Sequence, residues 1–85
     1  MTFRQVSVAS TTMFAPDLGM IVFDQDSMCK AGRFLQIWLP GIGEKPFAQS
    51  HERPLAIVVR AVGKMTRALL KMDVGTTLFI RGPCK

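Results

Sequence analysis

Tyrosine is absent from this chain, tryptophan occurs once, and cysteine occurs only twice, at Cys29 and Cys84. The two cysteines form no CxxC pair and have no histidine nearby, so they cannot assemble a zinc site or hold an iron–sulfur cluster. Lone thiols are expected rather than a disulfide. No apolar run exceeds five residues, the longest being Leu55–Val59, which excludes a membrane-spanning helix. The opening MTFRQVSVAS lacks the charged-then-apolar order of a secretory leader, and a cytoplasmic location is expected. Acidic residues are scarce as well: six Asp and Glu stand against eleven Lys and Arg, a net charge of +5. Such an excess suits an anionic partner, whether nucleic acid, a phosphate-bearing cofactor or an acidic protein face. The cations form no run, however, and scattered charge is the pattern of a solvated surface.

What is present is enough for one small packed domain, residues 1–85. Hydrophobic residues make up 48% and charged residues 20% of the 85, with six Phe and six Met to fill a core. Gln5 to Ser10 alternates and reads as a strand, followed by a loop around Ala15-Pro16-Asp17. Met20 to Phe23, Arg33 to Leu39, a short Phe47 to Ser50, Leu55 to Val62 and Thr76 to Arg81 complete the strands, separated by Gly, Pro and Asp-rich punctuation. Pro46 restricts its strand to an edge or bulged position. Trp38 sits in an alternating pattern that favours burial. Met65, Ala68, Leu69 and Met72 fall at i, i+3, i+4 and i+7, one face of a helix. The prediction is a mainly all-β domain: a small six-stranded antiparallel barrel of Greek-key type, with one short helix before the last strand.

The stretch EKPFAQS, Glu44 to Ser50, is unusual for a turn, because a chain reversal needs no cation and no flat ring. It lies between the turn PGIG and the run LAIVV. Further on, Gly63-Lys64-Met65-Thr66 is a strand–Gly–helix junction with a hydroxyl in the first turn. A helix start exposes free N–H groups and a partial positive charge, which suit an anion. Lys45, Arg60 and Lys64 can add charge there, and Phe47 offers a face to a planar heterocycle. The plainer readings are a helix cap for Thr66, core filling for Phe47 and a surface charge for Arg60.

The sequence Gly32-Arg33-Phe34, Ile37 to Gly41, Glu44-Lys45-Pro46-Phe47, Val62 to Thr66 and Arg81-Gly82-Pro83 resembles the flavin-binding barrel of the ferredoxin–NADP reductase superfamily. Within it, the likeness is to the electron-transfer subunit of dihydroorotate dehydrogenase and its relatives in hydrogenase and ferredoxin-oxidoreductase complexes. That resemblance implies an FAD cofactor, with FMN the weaker candidate. It places the cation Lys45 on the phosphates and Phe47 against the flavin, with Pro46 and Ala48 completing the motif. Val59, Arg60 and Ala61 would run along the ribityl and adenine side, and Met65 and Thr66 would receive the pyrophosphate. Ala48 stands where the family carries Ser or Thr, and Lys45 where Arg is commoner, so a flavin-tuning hydroxyl and a bidentate fork are both lost.

The family continues into a nicotinamide-binding domain, and its dihydroorotate-type members add a [2Fe–2S] cluster. Neither is expected in these 85 residues, nor is any metal, so the barrel is read as catalytically incomplete alone. The expected partners are flavin, a nicotinamide-binding domain or oxidoreductase subunit, and a second copy of the chain. Self-association is expected through apolar surface left near Phe47, Phe79 and Gly82-Pro83. The alternative is a non-enzymatic interaction module that binds a protein, with nucleic acid disfavoured by dispersed cations and few exposed aromatics.

Overall fold

The computed structural model describes residues 3–27 and 29–82. Six strands and one helix follow one another as β1 (Arg4–Ala15), β2 (Leu18–Phe23), β3 (Phe34–Leu39), β4 (Gly43–Glu52), β5 (Leu55–Arg60), α1 (Lys64–Leu70) and β6 (Thr77–Arg81). They close into a barrel in the order β1-β2-β5-β4-β3-β6, and every neighbouring pair is antiparallel. Closure gives every strand a partner on each side, although β4 and β5 pair over only part of their lengths.

Period-2 alternation explains most of the strands. Ile21 and Phe23 on β2, Leu35, Ile37 and Leu39 on β3, Leu55, Ile57 and Val59 on β5, and Leu78 and Ile80 on β6 all point inward and are buried together with Val6 and Val8 of β1. Each such side chain contributes about 1.5–3 kcal/mol by leaving water. Met65 and Leu69 of α1 join the same cluster, so the helix is held by packing and not by its own short length. Gly41, with φ +82°, supplies the left-handed residue of the β3–β4 turn, and Gly75, with φ +90°, does so between α1 and β6.

Four sequence expectations change. β1 runs on to Ala15 and not only to Ser10, because Thr11, Thr12, Met13 and Ala15 keep their pairing with β2 while their side chains are only half-buried or exposed. β4 extends over ten residues instead of Phe47 to Ser50, since Gly43 to Ala48 ladder continuously with Leu39 to Phe34 of β3. Trp38 is not buried. Strand parity puts it opposite to Ile37, on the outer face, where it is 37% exposed and packs on Phe3 and Phe79 at centroid distances of 5.5 and 5.1 Å. Cys29 is not a lone thiol but is disulfide-bonded; Cys84 lies outside the described residues.

The apolar surface is also distributed otherwise than expected. Phe47 and Phe79 are half-buried and Gly82 is buried, while Pro83 lies outside the described residues. The most exposed large apolar side chains are instead Phe34, Val62 and Val74, each 65% exposed or more, with Phe14 close behind. No helix among the described residues is long and apolar enough to cross a membrane.

Candidate functional site: the seam between β4 and β5

Strands β4 and β5 are neighbours, yet their ladder runs only from Glu52/Leu55 to Gln49/Ile57, with a bulge at Ser50. Beyond Gln49 the two strands continue as separate arms. Gly43–Ala48 of β4 is tied to β3 alone, and Val58–Arg60 of β5 to β2 alone. Backbone groups facing the seam have no ladder partner across it, and such groups call for another donor or acceptor. Pro46 fits here because a residue without an N–H is tolerated on a strand that has lost one neighbour.

Parity then sorts the β4 arm. Lys45 and Phe47 stand opposite Ile37 and Leu35, which point into the barrel, so both face inward along the seam. Phe47 is half-buried and packs against the core cluster, whereas Lys45 is exposed. Pro46 and Ala48 stand opposite Gln36 and Phe34, on the outside. The EKPFAQS motif therefore presents one cation and one ring on the same row and turns its proline and alanine away.

On the other lip, Val59 is buried in the core, Arg60 is exposed, and Ala61 is half-buried. Arg60 is already engaged. Its Nη1 donates to Asp17 Oδ2 at 3.0 Å, and the Ala61 N–H donates to the Asp17 carbonyl at 2.7 Å. The sequence alone places Asp17 only in a loop. Its role was invisible there, because 43 residues separate it from Arg60.

α1 begins beside this seam. A Cβ on Gly43 would lie 3.7 Å from Met65 Sδ, which places the start of β4 against the first turn of the helix. Met65 is buried, so its side chain is core and only its backbone is offered. Thr66 is buried too. Its Oγ1 accepts the N–H groups of Val62 and Gly63 at 2.9 and 3.0 Å and donates to the Gly63 carbonyl at 3.1 Å. This hydroxyl is committed to capping. The N–H groups of Lys64, Met65 and Thr66 belong to the first turn and have no carbonyl partner within the helix.

The nine residues singled out from the sequence lie on β4, at the end of β5 and at the start of α1, in unequal roles. Lys45 and Phe47 share the inward row of β4, and Ala61 follows β5 half-buried. Val59 and Met65 lie in the core, Thr66 fixes the helix start, Arg60 is paired away with Asp17, and Pro46 and Ala48 face outward. Among the described residues, no three His, Cys, Asp or Glu side chains gather to hold a metal.

Comparison with known proteins extends this geometry. No protein-family model matches the chain. It is 37% identical over 81 residues to the probable dihydroorotate dehydrogenase B (NAD(+)) electron transfer subunit of Thermococcus kodakarensis, covering 95% of this chain and 34% of that protein. The subunit of the same name from Thermoplasma acidophilum is 39% identical over 81 residues, covering 94% and 32%. The chain therefore spans about a third of the length of the curated relatives it matches. Among solved structures, the cytochrome b5 reductase domain of Ulva prolifera nitrate reductase superposes with a TM-score of 0.78 over 98% of this chain and 40% of that one. At 14% identity that likeness shows the fold alone. Sequence similarity along nearly its whole length identifies this chain as related to a segment, about a third of the length, of the dihydroorotate dehydrogenase B electron-transfer subunits, with the closed six-stranded barrel fold that the solved neighbour shares.

Proposed function

We propose that the chain is the flavin-holding barrel of an oxidoreductase electron-transfer subunit, with FAD lying along the β4–β5 seam. The observation that carries the reading is the shared inward row of Lys45 and Phe47 on the unladdered arm of β4, facing the Val59–Ala61 lip. In this reading the Lys45 ammonium meets phosphate as a point charge. Phe47 supplies a ring face, held in place because its own edge packs on the core. Free backbone groups on both lips and the amides of Met65 and Thr66 offer hydrogen bonds to the ribityl chain and pyrophosphate, while Pro46 and Ala48 shape the strand from outside. A bound flavin would supply the redox chemistry, and the protein contributes binding, orientation and electrostatics. FMN fits the same row but leaves the helix end unused.

Nicotinamide binding and the final electron acceptor are assigned to a separate domain or partner subunit, in keeping with the relatives' designation as electron-transfer subunits. A second copy of the chain is proposed to cover the outer face of β3 and β6, where Phe34 and Trp38 are exposed beside the Arg81–Glu44 pair at 3.6 Å. The functional reading is tested by titrating the purified chain with FAD, FMN and riboflavin, following flavin fluorescence and thermal midpoint. Saturable quenching and stabilisation by FAD are expected. No stabilisation and no quenching at saturating FAD would overturn it.

A further inference from the structure

The connection between β2 and β3, residues 24 to 33, carries Cys29 near its middle, and Gln49 of β4 holds it to the barrel. The Gln49 side-chain amide donates to the Cys29 carbonyl at 2.7 Å, and its Oε1 accepts the Ser27 hydroxyl at 2.7 Å. Ser27 Oγ in turn accepts the Cys29 N–H at 3.1 Å. The Gln49 backbone N–H donates to the Arg33 carbonyl at 2.8 Å, and its carbonyl accepts the Gly32 N–H at 2.9 Å. Ser27 and Gln49 are each 2% exposed, so breaking one of these bonds leaves a buried polar group unmet. Gln49 is also the residue at which the β4–β5 ladder ends. The loop around Cys29 and the opening of the seam share one anchor.

Cys29 is half-buried and disulfide-bonded, and the sequence holds one other cysteine, Cys84. Cys84 lies outside the described residues, but the end of β6 is tied to the same connection. Arg4 donates through Nη1 to the Gly82 carbonyl at 2.9 Å and through Nε to Gln25 Oε1 at 3.2 Å. Gln25 Nε2 closes the clip by donating to the Gln5 carbonyl at 3.2 Å. Cys84 follows Gly82 by two residues, and Cys29 follows Gln25 by four. An extended chain advances up to about 3.6 Å per residue. Both lengths of chain therefore suffice to bring the two Cα atoms to the separation of about 4.4–6.8 Å that a disulfide needs.

We infer that Cys29 and Cys84 form a redox-responsive clasp, which fastens the β2–β3 connection to the end of β6 and, through Gln49, governs the order of the seam where the ladder stops. The bond encloses β3, β4, β5, α1 and β6, and closing so long a loop restricts the unfolded chain. A half-buried sulfur is open to exchange, and the reductant that opens the clasp is a dithiol. One thiolate of the dithiol attacks a protein sulfur, the S–S bond breaks, and the other cysteine leaves as a thiolate. The second thiol of the reductant then displaces the mixed disulfide. The protein sulfurs have gained two electrons and take up two protons, and the dithiol has become a disulfide. With the clasp open, Ser27 and Gln49 alone hold the backbone of Cys29, and Gln49 loses restraint at the point where β4 and β5 part. Flavin affinity then follows the thiol state. That consequence rests on the flavin reading of the seam, whereas the clasp itself does not.

The test compares the full chain after mild oxidation with the same chain reduced by dithiothreitol, beside a Cys84→Ser variant kept without reductant. Non-reducing intact mass should show an oxidised monomer two hydrogens lighter than the reduced chain, with no titratable thiol. Reduction should lower the thermal midpoint by about 10 °C or more, the scale expected for a disulfide across a long loop in a domain of this size. The amide resonances of Gly32 and Gln49 should move on reduction while those of α1 keep their positions, and Cys84→Ser should reproduce the reduced spectrum. FAD, titrated against the oxidised chain and Cys84→Ser, should bind the variant about tenfold more weakly. Two free thiols in the oxidised monomer, a disulfide joining two copies, or a Gln49 amide unmoved by reduction would overturn the clasp. Equal FAD affinity in the two proteins would overturn its control of the seam. FAD binding to neither would show failure of the flavin reading, while mass, midpoint and the Gln49 resonance still decide the clasp.

Discussion

Lys45 stands directly across the β3–β4 ladder from Ile37, yet Ile37 has no exposed surface while Lys45 lies in solvent. Cross-strand partners project from the same face, so the inward face of the barrel opens to water at Lys45. The opening follows from the end of the β4–β5 ladder at Gln49/Ile57. In the proposed flavin reading, the cation at the mouth of this opening serves binding and not packing. Lys45→Glu should therefore leave stability within about 0.5 kcal/mol of the parent, as for most surface changes, while abolishing the thermal stabilisation given by FAD. Parallel denaturant melts with and without FAD measure both effects.

Thr66 reads differently. Its hydroxyl holds the N–H groups of Val62 and Gly63, and it is buried. Thr66→Ala should cost about 1 kcal/mol or somewhat more, the usual scale for a lost cap, lowering the thermal midpoint by about 4–8 °C per kcal/mol in a domain of this size. Thr66→Ser should restore most of the loss. Differential scanning calorimetry of the three proteins without ligand makes the check.

The Arg60–Asp17 pair should matter little to stability. Both side chains are more than half exposed, and exposed pairs contribute about 0–1 kcal/mol. The Ala61 N–H to Asp17 carbonyl bond at 2.7 Å also survives any change of the Arg60 side chain. Arg60→Gln is expected to shift the thermal midpoint by no more than a few degrees. That small difference should shrink further as salt is raised.

The outer face of β3 carries the prediction about assembly. Phe34 is 65% exposed, and Phe34→Asp should convert a dimer to a monomer while the barrel's circular dichroism is unchanged. Light scattering at micromolar concentration reads the mass directly. A parent that is already monomeric there would remove the second copy from the proposal.

Much of the barrel was legible in the sequence because burial imposes period 2 on β2, β3, β5 and β6. Wherever strand residues face solvent on both sides, that signal vanishes. The second half of β1 and the first half of β4 are strands only by virtue of their hydrogen-bonded partners, and no local pattern announces them. Trp38 shows a different failure. Parity with Leu35, Ile37 and Leu39 puts it on the outer face, but an aromatic residue in an apolar run suggested burial. The chemistry of EKPFAQS could be read as residue types, and the i, i+2 relation of Lys45 and Phe47 already put them on one side. What brings Val59 to Ala61 across from them is the β5-β4 adjacency, and the Asp17–Arg60 contact likewise depends on the β2–β5 pairing. Both arise from topology and not from neighbouring residues.

The most direct test of the proposed flavin seam is where FAD touches the molecule. Amide shifts on titration with FAD should be largest at residues 43–48 and 58–63, with Lys45→Glu suppressing the whole set. Saturable shifts confined to the outer face around Phe34, Trp38 and Phe79, with the seam residues unmoved, would contradict it.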